Sequence, residues 1–292
     1  MNPTKGYASI LFAIIATLAI SSQTTKFYST EQGLSNSMIN QIYQDKKGFI
    51  WVATENGLNK FDGNRFVVYM KSAGDTLSLK SNHVKAVFED SSGNFWVRCS
   101  GGLMLYDRDS DTFVELAVSD ANGMPISLSV ISVCERHNGD LYFATGYGLY
   151  TVGKGQTQCR PVAHLNERFT ELLLTVVYED SDNRLWIGTE NSGLYVYSFD
   201  TDELLSFSSS APPSQRIDCN TISAVCEGDS GEMFVGTLYG GLLRFDKSSM
   251  SVSRIPDAEG TPNLPVKSLI FDSAGQLLVG TDGFGMKKYE PH

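Results

Sequence analysis

Hydrophobic residues fall in short alternating runs that recur along the chain at a nearly fixed interval. The segments FIWVATENGL (49–58), NFWVRCSGGL (94–103), DLYFATGYGL (140–149), RLWIGTENSGL (184–194), EMFVGTLYGGL (232–242) and QLLVGTDGFGM (276–286) share one pattern. Their central residues, Trp51, Trp96, Tyr142, Trp186, Phe234 and Leu278, stand 45, 46, 44, 48 and 44 residues apart. Ahead of each lies a second apolar run with two aliphatic columns. One reads Ile39, Val84, Val130, Leu174, Ile222, Val266; three residues on, the other reads Ile42, Val87, Val133, Val177, Val225, Leu269. Most of these are β-branched, which favours strand. The column between them, Gln41, Ala86, Ser132, Val176, Ala224, Ser268, is mostly small. Small side chains suit an innermost strand crowded around a central channel.

Turns separate the runs. DKKG (45–48), DSSG (90–93), RHNG (136–139), DSDN (180–183), GDSG (228–231) and DSAG (272–275) each end in Gly or Asn, the chemistry of a hairpin residue at positive φ. A Gly-Leu or Gly-Met pair then opens a third strand, and a fourth follows, as at Arg65–Tyr69, Thr112–Leu116 and Leu204–Phe207. Each copy therefore reads as a four-stranded antiparallel meander. One such unit cannot bury both faces of its sheet, whereas radial stacking can, and repeats of about 40–50 residues are propeller blades. The expectation is an all-β protein, a β-propeller of six four-stranded blades near 38–69, 83–116, 130–162, 173–207, 221–255 and 266–290, filling residues 26–292. The sixth copy stops after its third strand, near Tyr289. The spare piece Lys26–Ser29 is expected to supply the missing outer strand and close the ring.

Composition and charge change this picture little. The net charge of −10 argues against nucleic acid or an anionic membrane surface as the partner. Ile10–Ile20 is an uncharged apolar run of signal-peptide length, too short to span a bilayer, so residues 1–22 read as a signal peptide and the protein as periplasmic or otherwise extracytoplasmic. Membrane anchoring is expected only within a longer receptor. The five cysteines fit neither a zinc ribbon nor a dense disulfide framework, and Cys134 and Cys226 fall at equivalent apolar columns.

The pattern D-x-x-G-x-[IFL]-W-[IV]-[GA]-T-x-x-G-L-x-x-[FY]-D resembles the two-component regulator propeller repeat. FYSTEQGLSNSMINQIYQDKKGFIWVATENGLNKFDG (27–63) is its most specific stretch. The second, fourth and fifth copies match well. The third, with Tyr142 for Trp and Arg136 for Asp, departs from the pattern. The resemblance implies the N-terminal sensor region of a hybrid two-component histidine kinase, one that detects a glycan breakdown fragment. In that family further blades, an immunoglobulin-like domain, a membrane span and a kinase follow. None of those later parts is in this sequence, so no kinase activity is expected of it.

No residues assemble a chemical motif. The four histidines are scattered, no nucleophile elbow or phosphate loop is present, and the regular aspartates belong to turns. No catalytic residue, metal or cofactor is therefore expected. Ligand candidates are the positions where copies disagree at a loop. Arg98 stands where other copies have Ala or Gly, and Tyr147, Tyr239 and Phe284 offer flat faces to a sugar ring or a partner. Arg98 is expected to find an acid such as Glu55. The leading reading is a sensor for an oligosaccharide ligand. The alternatives are a scaffold that meets further propeller or receptor domains or pairs as a homodimer, and a propeller lyase or hydrolase.

Overall fold

The computed structural model describes residues 26–169, 173–256 and 264–290. The predicted signal peptide lies outside them. Six antiparallel sheets follow one another along the chain as the blades of a propeller. Blade 1 comprises Ile39–Gln44, Ile50–Thr54, Gly57–Phe61 and Phe66–Tyr69. Blade 2 comprises Val84–Glu89, Phe95–Cys99, Gly102–Asp107 and Thr112–Glu115. Blade 3 comprises Val130–Glu135, Leu141–Thr145, Gly148–Val152 and Gln158–Pro161. Blade 4 comprises Leu174–Glu179, Arg184–Thr189, Leu194–Ser198 and Leu204–Phe207. Blade 5 comprises Ile222–Glu227, Glu232–Thr237, Gly241–Asp246 and Val252–Ile255. Blade 6 comprises Val266–Phe271, Leu277–Thr281 and Met286–Tyr289. The short strand Ala117–Val118, from the blade 2–3 linker, adds a parallel fifth strand to blade 3.

Local chemistry explains the repeat. In blades 1, 2 and 4 the turn aspartate accepts backbone N–H bonds within its own turn and a bond from the indole Nε1 six residues on. The pairs are Trp51 to Asp45 at 2.9 Å, Trp96 to Asp90 at 2.8 Å and Trp186 to Asp180 at 2.8 Å. The last turn residue has positive φ in every copy, +88° at Gly48 and +60° at Asn183, for example. The threonine ending the second strand donates to the carbonyl of the glycine opening the third, as Thr54 does to Gly57 and Thr189 to Gly193. Every innermost strand carries a bulge after its first residue, so that Ile39 faces Thr54 but Gln41 faces Ala53.

Packing is radial, as the alternation requires. Five hydrophobic clusters each join two successive blades. Trp51 lies against Phe95 and Tyr106 of blade 2, and Trp186 against Phe245 of blade 5. Each fully buried aromatic removes about 200 Å² from water, worth roughly 5 kcal/mol before entropy. These rings therefore dominate any single hydrogen bond in holding the blades together. The segment leading into each blade adds one buried side chain: Leu34, Leu79, Leu128, Phe169, Ile217 and Leu264. Phe169, for instance, packs on Tyr195 of the blade it precedes.

The expected ring closure is corrected by the structure. Blade 6 has three strands, and Lys26–Ser29 forms none. Tyr28 packs instead on Phe61 and Phe66 of blade 1, at ring-centroid distances of 4.9 and 5.9 Å. Ser29 then caps a short 3-10 turn through a reciprocal bond pattern with Gln32, which bends the chain away from an extended path. Ser35 N–H next donates to Asn59 Oδ1 at 2.8 Å. The N-terminal segment thus covers blade 1. Among the described residues no core cluster joins blade 6 back to blade 1.

Candidate functional site

The inner-strand bulge sets the geometry of the channel wall. Its extra residue is Asn40, Lys85, Ile131, Thr175, Ser223 or Lys267, and a bulge re-aims the side chain it carries. In three blades that side chain reaches across to the first carbonyl of the next inner strand. Asn40 donates to Val84 O at 2.9 Å, Thr175 to Ile222 O at 2.6 Å and Ser223 to Val266 O at 2.6 Å. The second strand must be small at the matching position. A Cβ on Gly188 would lie 2.6 Å from Val176 and 2.7 Å from Ile222, and one on Gly236 would lie 2.4 Å from Val266.

Arg98 breaks both rules at the seam between blades 2 and 3. It occupies the small position, and its Nη1 donates to Ile131 O of the blade 3 bulge. Its Nε is buried without a hydrogen-bond partner. Burial pulls its pKa below the ordinary arginine value, though a guanidinium stays protonated in proteins. The expected partner Glu55 is engaged elsewhere: its Oε1 lies 3.2 Å from His83 Nε2, and His83 Nδ1 lies 3.1 Å from Ser100 Oγ. The bulge residue of this same blade is Lys85, which makes no ion pair among the described residues. Two basic side chains therefore belong to this seam without an acid to balance them.

Tyr147, Tyr239 and Phe284 sit in the turns between second and third strands of blades 3, 5 and 6. They are 66, 67 and 56% exposed, although most described aromatics of the fold are buried or half-buried. They occupy separate blades, and neither they nor Arg98 line any of the described pockets. Those pockets are grooves between outer strands. One, of about 270 Å³, lies between blades 1 and 2 around Lys60, Arg65, Tyr69, Tyr106, Arg108 and Asp111. There Asp111 accepts from both tyrosine hydroxyls, at 2.6 Å from Tyr69. Burial first, and its bond to Asp111 second, push Tyr106 up to about 12. Another groove, of about 410 Å³, lies between blades 4 and 5, but its charges pair internally. Asp182 lies 2.9 Å from Arg184 and 3.0 Å from Lys247.

Among the described residues no group of three or more His, Cys, Asp or Glu side chains is arranged to hold a metal ion. Cys134 and Cys226 lie at the seams, where burial pushes each thiol up to about 12. A thiol so placed is protonated and unreactive at neutral pH.

Sequence reasoning passed over one column, the glutamates ending the inner strands. Glu89, Glu135, Glu179 and Glu227 each accept from a backbone N–H in the turn of the preceding blade. The donors are Lys46, Ser91, His137 and Ser181, at 2.8, 2.9, 2.6 and 2.8 Å. Their spacing by one repeat was a usable signal. Their role is structural, because each carboxylate is spent on its neighbour's turn.

Comparison with known proteins follows the repeat. The model of the two component regulator propeller family matches residues 33–56, 78–101 and 173–191. Histidine kinase P4 of Formosa agariphila is 29% identical over 256 residues, covering 68% of this chain and 19% of the relative. The extracellular domain of a hybrid two component system from B. thetaiotaomicron superposes with a TM-score of 0.74 at 23% identity, over 91% of this chain and 35% of that domain. A second such domain from the same organism gives a TM-score of 0.67 at 19% identity, over 91% of this chain and 33% of that domain. The chain thus spans about a fifth of the curated relative and about a third of each solved domain. Three repeats of the chain are similar in sequence to the two component regulator propeller model, and the six successive sheets share the fold of the solved extracellular domains.

Proposed function

We propose that this propeller is the ligand-binding part of an extracytoplasmic two-component receptor and recognises a glycan-derived oligosaccharide without catalysing its conversion. The observation that carries the reading is the exposure of Tyr147, Tyr239 and Phe284 on equivalent turns. Exposed aromatic faces are what sugar rings stack on, and leaving them in water has no benefit to folding. The family supports the receptor setting. Phosphotransfer would belong to domains beyond these residues, and residues 1–22 would direct export. Among the described residues no helix is long and apolar enough to cross a membrane.

The test is calorimetric titration of the chain with a panel of plant, algal and host oligosaccharides. At least one should release heat, and the triple variant Tyr147→Ala, Tyr239→Ala, Phe284→Ala should lose at least tenfold in affinity while melting within about 2 °C of the parent. No heat from any sugar would overturn the reading, as would unchanged binding by the variant.

A scaffold role has its own support. Ile42 of blade 1 and Ile270 and Met286 of blade 6 are 62, 64 and 68% exposed, whereas Val87, in the column of Ile42, is 1% exposed. These free faces would seat a further blade, another receptor domain or a second copy of the chain.

A further inference from the structure

We propose that the channel side of the blade 2–3 seam is an anion subsite in which Arg98, assisted by Lys85, binds the carboxylate of an acidic sugar. The proposal rests on the ligand-binding reading above and names its substrate class.

Three other basic side chains embedded in seams each have a carboxylate, and Lys60, which has none, lies over the rings of Phe49, Trp51 and Tyr106. Arg108 lies 2.8 Å from Asp45 and 3.4 Å from Glu89. Arg136 lies 2.8 Å from Glu179, and Lys247 is held by Glu227 and Asp182. Arg98 has only the neutral carbonyl of Ile131, and its Nε has nothing. A half-buried guanidinium with an unpartnered Nε and no counter-charge is unfavourable, and the chain has 33 acidic residues from which a partner could have come. Its fold places none here.

The seam is also open where others are closed. At the blade 1–2, 4–5 and 5–6 seams the bulge side chain is bonded to the next blade. At the blade 2–3 seam the bulge residue Lys85 is not, and a long arginine replaces the Gly or Ala that permits close approach elsewhere. Ile131, opposite, is exposed. A guanidinium presents a planar fork that matches a carboxylate, and the ammonium of Lys85 adds a point charge. Neutral sugars cannot supply the missing charge; a uronic acid can.

The experiment measures binding of galacturonate, galactose and acetate to the full chain by calorimetry and by shift in melting temperature. Variants Arg98→Gly and Arg98→Met are compared with the parent; the methionine keeps the bulk of the wedge without its charge. Galacturonate is expected to bind and raise the melting temperature, with affinity at least tenfold lower in both variants. Both variants should melt at or above the parent without ligand, because a half-buried charge has been removed. Galacturonate binding that is absent, or unchanged in Arg98→Met, overturns the proposal. Acetate binding as tightly as galacturonate overturns the sugar assignment. A neutral oligosaccharide that still binds both variants would leave the receptor reading intact while this one fails.

Discussion

Asp45, Asp90 and Asp180 each close a turn and hold an indole. Where Trp gives way to Tyr142 the aspartate becomes Arg136, and where it gives way to Phe234 the aspartate becomes Gly228, whereas blade 6 keeps Asp272 for its turn alone beside Leu278. In blade 3 Arg136 stacks on Phe199, 3.4 Å from its ring centroid, and so replaces a hydrogen bond by a cation–π contact. The turn role of the aspartates was legible in the sequence, because D-x-x-G is turn chemistry. The indole bond was not, since only the folded hairpin brings a residue six positions away onto the carboxylate. Asp180→Ala should lower stability by about 1–3 kcal/mol, since it leaves a buried Nε1 and turn N–H groups unpaired; chemical denaturation measures this. Acid should act at the same scale. Burial would raise the pKa of Asp45, but bonds from Trp51, Arg108 and Phe49 outweigh it and hold the carboxyl below its usual 3.8. Burial likewise would raise Glu227, and Lys247 and Ser181 hold it below 4.5. Both folded values are depressed, so the stability they supply is present above the unfolded values and is lost as pH falls through the folded ones. Unfolding free energy should be flat near neutrality and decline below about pH 4.5. Glu227→Gln should decline less steeply over that window.

Strands and turns of neighbouring blades meet through the glutamate column. Among the described residues Glu135 accepts only the Ser91 N–H, through both oxygens at 2.9 Å, whereas Glu179 also holds Arg136 and His137. Removing Glu179 strands a buried arginine, so Glu179→Ala should cost about 3–5 kcal/mol, against about 1–2 kcal/mol for Glu135→Ala. Equal losses would show that Arg136 draws its support from Phe199 and from its 2.6 Å bond to Asn183 Oδ1. Blade 6 carries Phe271 in this column and makes an aromatic contact with Phe234 in its place. Strand order and face were readable, because period-two alternation dictates which side of a sheet is apolar. The glutamates of the staples recur visibly once per repeat, but their partners were not readable, because each lies about one full repeat away and no local pattern announces it. The same holds for Arg98. Its misfit with the small column showed in the sequence, but the lack of a counter-charge emerges only once six sheets are stacked.

Across the whole molecule, five interblade cores support one another, while Ile42 of blade 1 and Ile270 and Met286 of blade 6 stand exposed at the two ends of the array. Repeat arrays yield from such ends, so backbone amides of blade 6 should exchange with solvent before those of blades 3 and 4 in a mass-spectrometric time course. The exposed side chains should also promote self-association. Ile42→Ser with Ile270→Ser should raise the monomer fraction in light scattering and change stability by under about 1 kcal/mol, since both side chains are already largely hydrated. The missing outer strand of blade 6 was plain from the length of the last copy. The destination of the N-terminal segment was misjudged, because any short apolar piece can be extended on paper, and the Tyr28 contact with Phe61 and Phe66 decides otherwise. That segment also shows where one copy begins. Leu34, Leu79, Phe169 and Ile217 each stand five residues ahead of a first strand and are buried, Leu79, Phe169 and Ile217 within interblade cores. The heritable module is therefore not the sheet but the sheet together with its leading apolar residue. A duplicated segment that spans a full repeat, linker included, would keep every core filled, while one limited to the four strands would leave the new copy with a hole. Arrays of this kind can lengthen or shorten by whole copies only in units that carry that residue along with the strands.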